Sequence, residues 1–321
     1  MIVVTGGAGF IGSVLVNRLN ELGSDNIIIV DSLGETNKWK NLVSLKYADI
    51  YHKDEFLELV LDDSVPFKMD AIIHLGACSS TTETDADYLL YNNYKYSQSL
   101  AVYCLEKDVR FIYASSAATY GDGANGHSDD EEKLDILKPL NMYGYSKHMF
   151  DKWAKREEVL DEIVGLKYFN VYGPNEYHKE DMRSVVHKAF GQIKETGKVQ
   201  LFKSYNDLYE DGKQKRDFIY VKDAVEMTLY FLQNKDKNGL YNIGTGKART
   251  WIDLVSSIFS AMNLESNIEF VEMPNELKGK YQYFTEANID KIKAAGYNNE
   301  ITSLEEAVTD YVKEYLMKGN E

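Results

Sequence analysis

The chain has 321 residues, of which 44% are hydrophobic and 27% charged, and its formal net charge at pH 7 is −15. This length and composition are typical of a globular protein that buries a large core. The acidic excess argues against a nucleic-acid partner, because phosphate backbones require a dense basic face. No run of 18 or more apolar residues is present, so we expect no transmembrane helix and no membrane partner.

The two cysteines and the first residues indicate the compartment. Cys78 and Cys104 are too few for a disulfide framework and too far apart to form a metal pair. Residues 1–4 already begin a strand that leads directly into glycines, which is not the pattern of a signal peptide. The sequence therefore predicts a cytoplasmic protein with reduced thiols and no metal site.

Short runs of β-branched residues alternate with amphipathic stretches over the first half of the chain. The predicted strands are residues 2–5, 27–30, 70–74, 110–114 and 163–168. The predicted helices are residues 10–22, 53–61, 87–107 and 143–160. Nearly continuous apolar strands that alternate with helices indicate a parallel sheet covered on both faces.

The pattern becomes less regular after about Asn170. Helices are predicted near residues 222–233, 251–262 and 303–317, whereas residues 203–215 are polar and predict a loop. We therefore expect an α/β protein, with a Rossmann-type doubly wound parallel sheet over residues 1–169. Residues 170–321 are expected to form mainly a smaller mixed α/β substrate domain, from which the chain can cross back into the first.

A glycine-rich segment joins the first predicted strand to the first predicted helix. Gly6, Gly9 and Gly12 suit a tight turn, a close backbone approach to a pyrophosphate, and close packing of helix on strand. The free N–H groups at the start of the helix would then face the phosphates. Such a pattern alone is weak, but here a strand precedes it, an apolar helix follows, and Asp31 ends the next strand. The segment therefore predicts a dinucleotide site.

The residues near this loop leave NAD and NADP open. Asp31 suits the ribose 2′-hydroxyl of NAD. Lys38 and Lys53 could instead neutralise the 2′-phosphate of NADP, although lysines are more often solvated surface charges.

A serine, a tyrosine and a lysine follow in an order that suits hydride chemistry. Ser116 lies at the end of the strand near residues 110–114, and Tyr143 and Lys147 lie one turn apart on the next helix. A nearby ammonium would lower the pKa of a tyrosine that exchanges protons, while the serine polarises the reacting oxygen. Tyr145 is less suitable, because Met149 rather than a lysine follows it by one turn.

These motifs together resemble the extended short-chain dehydrogenases/reductases that act on nucleotide sugars, and the resemblance covers essentially the whole chain. Further segments are similar to the members that epimerise an ADP-linked heptose. These segments are residues 76–83 (GACSSTTE), 169–174 (FNVYGP), 178–179 (HK), 215–218 (KRDF) and 278–282 (KGKYQ).

The resemblance implies a set of ligand contacts. The implied cofactor residues, glycines included, are Gly6, Gly9, Phe10, Ile11, Gly12, Asp31, Ser32, Lys38, Lys53, Leu75, Gly76, Ala77, Cys78, Ser79, Asn92, Lys147, Val171 and Lys179. The implied substrate residues are Ser79, Ser116, Asn170, Phe202, Lys203, Ser204, Tyr205, Arg216 and Tyr281. Because Lys38 and Lys53 match the family pattern, the resemblance favours NADP over NAD.

The resemblance places the acid/base pair on Tyr143 and Lys179, with Ser116 and Lys147 completing the catalytic set. Oxidation and re-reduction from the opposite side require the ketone to turn in the site, and one proton-transfer group can serve each orientation. Lys179 would need a depressed pKa, and its alternative is a solvated loop lysine. Arg216 suits a pyrophosphate, and its alternative is an ion pair with Asp217 or Glu210.

Two departures from the family pattern weaken some of these contacts. Asp181 stands where a small hydroxyl residue is expected, and residues 205–214 are longer and more polar than expected. The second departure affects the substrate contacts at Lys203 and Ser204.

The resemblance implies inversion at C6″ of an ADP-linked heptose by transient oxidation with bound NADP, in the synthesis of lipopolysaccharide precursors. It also implies a homo-oligomer, with a pentamer as one form. The alternatives are another nucleotide-sugar epimerase, such as a UDP-hexose 4-epimerase, and a non-catalytic NAD(P) sensor. A sensor would have no reason to keep Ser116, Tyr143 and Lys147 together.

Overall fold

The computed structural model describes residues 1–278 and 281–319. Its strands are β1 (Ile2–Thr5), β2 (Ile27–Asp31), β3 (Asp49–His52), β4 (Ala71–His74), β5 (Arg110–Ser116), β6 (Val164–Tyr168), β7 (Asn170–Tyr172), β8 (Val199–Phe202), β9 (Lys215–Tyr220), β10 (Gly239–Ile243), β11 (Ala248–Thr250) and β12 (Ile268–Val271). Its α-helices are α1 (Phe10–Glu21), α2 (Lys53–Leu61), α3 (Ala86–Leu89), α4 (Tyr96–Glu106), α5 (Met142–Arg156), α6 (Val185–Thr196), α7 (Val221–Gln233), α8 (Trp251–Ala261), α9 (Asn275–Lys278), α10 (Asp290–Ala294) and α11 (Leu304–Asp310).

Seven parallel strands form the main sheet, in the order β10-β6-β5-β4-β1-β2-β3. Strands β2, β4 and β6 are buried along their whole length, as expected for a parallel sheet with helices on both faces. The apolar side chains of these strands and of the covering helices form one continuous core. The expected Rossmann-type doubly wound sheet is therefore confirmed.

Two smaller sheets lie beside the main sheet. Strand β9 pairs with β7 in parallel and with β11 in antiparallel orientation, and β12 pairs with β8. Strand β10 then returns to the main sheet and pairs with β6, so this sheet includes residues beyond position 169. The division into two domains at residues 169/170 stays a prediction.

Local sequence accounts for several helix ends. Thr250 and Asp253 form a reciprocal capping box at the start of α8, and Ser303 and Glu306 do so at the start of α11. Helix α6 ends at Gly197, which adopts the left-handed conformation that glycine accepts most readily. None of the described helices is long and apolar enough to cross a membrane.

Some elements differ from the sequence-based expectation. Strand β3 was not predicted, because it has only two partly buried apolar residues and therefore lacks an apolar run. Helix α6 was also not predicted. The helix expected at residues 87–107 is divided by a π-helical segment, Leu90–Lys95, and the last expected helix passes into another, Tyr311–Leu316. The loop expected near residues 203–215 is present and ends at the start of β9.

Candidate active site

The candidate cofactor site lies at the carboxyl edge of the main sheet. Strand β1 is flanked by β2 on one side and β4 on the other, so the chain changes direction across the sheet at this point. Ligands of doubly wound sheets bind in the crevice at such a switch point. The glycine loop follows β1, and the turn at residues 75–79 follows β4, so both segments border the same crevice.

The glycines of the loop permit close backbone packing. Gly6 has φ +68°, and a Cβ atom there would lie 2.7 Å from the backbone nitrogen of Gly76. A Cβ atom on Gly12 would collide with the carbonyl oxygen of Gly6. Helix α1 begins after Gly9, and no side chain caps its first N–H groups. An uncapped helix start beside a narrow glycine turn fits a pyrophosphate.

Two lysines flank the expected adenosine end of this crevice. The Nζ atom of Lys38 lies 2.7 Å from Oδ1 of Asp31, whose Oδ2 accepts the N–H of Ala8 at 2.9 Å. Lys53 donates to Oδ1 of Asn92 at 2.7 Å, so two residues predicted separately from the sequence are in contact. Both ammonium groups are therefore placed by the fold and are not simply solvated.

Asn93 holds the turn that follows β4. Its side-chain Oδ1 accepts the N–H of Cys78, and its Nδ2 donates to the Cys78 carbonyl, each at 2.9 Å. The same Nδ2 lies 3.0 Å from Oγ of Ser146, the residue before Lys147 on α5. Asn93 is fully buried in the π-helical segment and thus joins the cofactor-side turn to the catalytic helix. Sequence reasoning missed this residue, although π-helical segments are frequent at functional sites.

Ser116 and Tyr143 meet above the end of β5. Asn141 caps α5 by accepting the N–H of Gly144 at 2.8 Å, which sets Tyr143 in the first turn of this helix. Burial raises the pKa of Tyr143, and the hydroxyl of Ser116 opposes this effect. The net shift is therefore upward, opposite to the lowered pKa expected from the sequence. The role expected for Lys147 in stabilising the tyrosinate stays a prediction.

Lys147 lies one turn after Tyr143 and is only 4% exposed. Burial lowers the pKa of Lys147 from 10.5 to about 8, while the carboxylate of Asp151 opposes this effect. Asp151 itself is paired with Lys167, with 2.5 Å between Oδ2 of Asp151 and Nζ of Lys167. Its carboxylate also accepts hydrogen bonds from the hydroxyls of Tyr113 and Ser115. This buried network connects α5 to the end of β5 through the bond between Asp151 and Ser115.

Lys179 lies in a 3₁₀-helical segment, Tyr177–Met182, which follows β7. Its Nζ atom is 5.8 Å from the ring centroid of Phe10, the first residue of α1, so the two segments approach each other. Burial lowers the pKa of Lys179, and Glu176 opposes this effect. The lowered pKa agrees with the expectation. The next residue, Glu180, has φ +47°, a strained conformation for a residue other than glycine.

Arg216, on strand β9, is buried between two aromatic rings. Its guanidinium carbon is 5.6 Å from the ring of Trp251 and 5.3 Å from that of Tyr281, and Trp251 donates to the Tyr281 hydroxyl at 2.9 Å. Within residues 1–278 and 281–319, no carboxylate pairs with Arg216, which hydrogen-bonds to the carbonyls of Lys215 and Gln282. A buried guanidinium without a carboxylate is suited to an anionic ligand.

The two residues considered as alternative partners of Arg216 are engaged elsewhere. The carboxylate of Asp217 accepts hydrogen bonds from Thr245, Gly246 and Ala287. Glu210 pairs with Lys213, with 2.6 Å between the charged atoms. Trp251, which sequence reasoning treated only as a helix start, is thus part of the candidate substrate site.

The residues predicted at 202–205 form a separate group of contacts. Phe202 ends β8, Lys203 pairs with Glu272 at 2.7 Å, and the Tyr205 hydroxyl also bonds Glu272. The backbone N–H of Ser204 donates to Oδ1 of Asp211 at 2.6 Å. Asp211 and Glu272 therefore hold this stretch at the edge of the small β8–β12 sheet.

The remaining predicted residues lie in β7, in α1 or in the turns that follow β2 and β4. Asn170, at the start of β7, donates to the carbonyl of Asp217 and to Thr285, and Val171 follows it half-buried. Ser32 follows β2, and Ser79 is exposed at the end of the turn after β4. Ile11 lies in the first turn of α1, and Leu75, Gly76 and Ala77 form the turn itself. Gly279 and Lys280, from the quoted segment 278–282, lie outside the described residues.

Comparisons with known proteins show which family the chain resembles. The family described as "NAD dependent epimerase/dehydratase family" matches residues 2–244. The ADP-L-glycero-D-manno-heptose-6-epimerase of Nitratidesulfovibrio vulgaris (strain DP4) is 57% identical over 316 residues, which cover 98% of each chain. The crystal structure of ADP-L-glycero-D-manno-heptose-6-epimerase from Helicobacter pylori matches with a TM-score of 0.80 and 28% identity, over 98% of this chain and 95% of that one. The structure of UDP-glucose 4-epimerase from Thermotoga maritima, solved with UDP-glucose, also matches with a TM-score of 0.80. Its identity is 26%, over 100% of this chain and 99% of that one.

Proposed function

The chain belongs to the NAD dependent epimerase/dehydratase family, and from this we propose that it epimerises ADP-D-glycero-D-manno-heptose at C6″. The observation that carries this proposal is the full-length identity with the N. vulgaris heptose epimerase. The likeness to the UDP-glucose enzyme is much lower in sequence and shares mainly the fold. A role in lipopolysaccharide precursor synthesis follows from the same resemblance.

The proposal includes NADP as the resident cofactor. The glycine loop accepts a pyrophosphate, and Lys38, Lys53 and the turn at residues 75–79 would hold the rest of the molecule. Lys38 already neutralises Asp31, the residue that would otherwise favour an unphosphorylated ribose. Cationic groups at this end of the crevice support a ligand with a 2′-phosphate there. Bound NADP would supply hydride acceptance and hydride return at one substrate carbon.

The residues of the chain would then carry out the proton transfer to and from the reacting oxygen. Ser116 and the Tyr143 hydroxyl would together hold the reacting oxygen of one substrate orientation. Lys147, when protonated, would stabilise the tyrosinate one helical turn away. Lys179, whose pKa is lowered by burial, would exchange the proton in the other orientation. Phe10, beneath the Lys179 ammonium, would help to keep water away from it.

Arg216 would bind the substrate diphosphate. Trp251 and Tyr281 orient the guanidinium and exclude water from it, which strengthens its interaction with an anion. Asn170, which donates to the carbonyl of Asp217 next to Arg216, would contact the sugar. Phe202 and the loop that follows it would border the nucleotide.

The decisive experiment uses the purified protein and ADP-D-glycero-D-manno-heptose without added cofactor. NMR should show inversion at C6″ until both epimers are present. Unchanged heptose together with conversion of UDP-glucose would favour the UDP-hexose 4-epimerase alternative. Tight NADP binding without turnover of either nucleotide sugar would favour the sensor.

The assembly and compartment form a further part of the proposal. The family resemblance supports a cytoplasmic homo-oligomer, with a pentamer as the form to test. Light scattering coupled to size-exclusion chromatography should give a mass that is a multiple of 36.7 kDa. A mass of one chain at micromolar concentration would contradict it.

A further inference from the structure

Gln214 is buried without a partner for its side-chain amide. It immediately precedes β9 and is fully shielded from solvent, with 0% of the residue exposed. Neither Oε1 nor Nε2 has a hydrogen-bond partner in the described part of the chain. Burying an amide in this state carries a free-energy cost, because both groups were hydrogen-bonded to water in the unfolded chain. A ligand that pairs with the amide would remove this cost.

The surroundings of Gln214 belong to the candidate substrate site. Side chains alternate along an extended strand, and Lys215 is exposed whereas Arg216 is buried. Gln214 and Arg216 therefore share one face of the segment. The carbonyl oxygen of Gln214 accepts the backbone N–H of Trp251 at 3.3 Å, and the ring of Trp251 packs over Arg216. The unpaired amide thus lies beside the group proposed to bind the diphosphate.

We propose that the side-chain amide of Gln214 binds the edge of the nucleotide base of the substrate. This inference rests on the proposed function, since it places the diphosphate of an ADP-linked sugar on Arg216. Two residues along a strand span about 6.6 Å, which is comparable to the ribose that separates a diphosphate from its base. A base bound beside Gln214 and a diphosphate bound by Arg216 are therefore compatible with one ligand.

The chemistry of the amide fits adenine. A glutamine side chain presents one acceptor and one donor group next to each other. The edge of adenine presents an amino donor beside a ring-nitrogen acceptor, and a glutamine can bind both at once. Such a pair would satisfy both of the unpartnered atoms in a single contact. A diphosphate alone has no hydrogen-bond donor for the carbonyl oxygen of the amide. It could therefore pair with only one of the two amide groups.

The test is a thermodynamic cycle on the full-length protein. ADP and ribose 5-diphosphate, which lacks the base, are titrated by calorimetry into the wild-type protein and into the Gln214→Leu variant. Leucine preserves the approximate volume and removes the unpaired amide, so the unfolding temperature of the ligand-free variant should not fall. Gln214→Met provides a second apolar replacement if the leucine variant is poorly folded. Gln98→Leu, on α4 and half-buried, is the matched control.

We expect Gln214→Leu to weaken ADP binding by roughly 5- to 150-fold, which is the range for a lost two-bond contact to a base. Binding of ribose 5-diphosphate should not change, and Gln98→Leu should change neither ligand. Equal loss for both ligands would overturn the proposal, since Gln214 would then act through the placement of Arg216. Unchanged ADP binding by either apolar variant would overturn it as well. Failure of the wild-type protein to bind ADP at all would instead count against the proposed function.

Discussion

The ammonium of Lys38 lies 2.7 Å from Oδ1 of Asp31, at the end of β2 where the adenosine ribose of a dinucleotide is expected. An acidic residue at this position ordinarily favours NAD through the ribose 2′-hydroxyl. Here the carboxylate is paired with a cation that is itself suited to a phosphate. The pair therefore supports the proposed preference for NADP over the NAD that Asp31 alone would favour.

The first prediction concerns this pair. Lys38→Met should reduce the affinity for NADP by roughly 10- to 100-fold, the range for one charge-assisted hydrogen bond. The affinity for NAD should be unchanged or higher, because Asp31 becomes free to accept a ribose hydroxyl. Fluorescence titration of the cofactor-free protein gives both constants. Lys40→Met, an exposed lysine of the same segment, is the control. An unchanged ratio of the two affinities would exclude Lys38 as the residue that selects NADP.

The second prediction concerns the tyrosine on α5. Tyr143→Phe should lower the turnover number by roughly 10²- to 10⁴-fold, because it removes the proton-transfer group. Binding of NADP should remain within a factor of a few. Tyr145→Phe, two residues along the same helix and 49% exposed, should retain normal turnover. If Tyr143→Phe and Tyr145→Phe were equally active by NMR of the C6″ configuration, Tyr143 would not be the catalytic group.

The third prediction tests the second proton-transfer group. Lys179→Met should also lower turnover by roughly 10²- to 10⁴-fold, with cofactor still bound. The control is Lys194→Met, an exposed position on α6. Near-normal turnover of the Lys179 variant would restrict the acid/base chemistry to Tyr143 alone. An equal loss of NADP binding and turnover would instead assign Lys179 to the cofactor.

The fourth prediction follows from the buried ammonium of Lys147. Its pKa is lowered from 10.5 to about 8 by burial, so the unfolded chain binds this proton more tightly than the folded protein does. Below pH 8 the folded protein therefore carries a penalty of about 3 kcal/mol, at 1.36 kcal/mol per pH unit. The penalty should decrease between pH 8 and pH 10.5, and stability should rise with pH over this range.

Lys147→Met removes this penalty and provides the measurement. At pH 7 the ligand-free variant should be more stable to urea than the wild-type protein, and the difference should decrease towards pH 10. The exposed Lys152→Met on the same helix should show no such pH dependence. A stability difference that is constant from pH 7 to pH 10 would contradict the lowered pKa. The Lys147 variant should also lose turnover, since the charge that stabilises the tyrosinate is absent.

Much of the fold was predictable because its signals are local. The apolar runs that became β1, β2, β4, β5 and β6 identify a parallel sheet without any tertiary information. Strand β3 lacked such a run, and its pairing with β2 was decided by the sheet itself. The return of the chain at β10 was likewise anticipated only in general terms, because a buried strand carries no local sign of the neighbour with which it pairs.

The sequence by itself determined the dinucleotide loop, the order of Ser116, Tyr143 and Lys147, and the occurrence of Lys38 seven residues after Asp31. Each of these is a matter of residue type and spacing along one or two adjacent elements. Tertiary structure alone decided that Trp251 packs on Arg216, that Asn93 joins the turn after β4 to α5, and that the amide of Gln214 is buried without a partner. These contacts join segments distant along the chain, or depend on burial, and both are set by how the sheets and helices pack. For the same reason the direction of the pKa shift of Tyr143 could not be read from its spacing to Lys147.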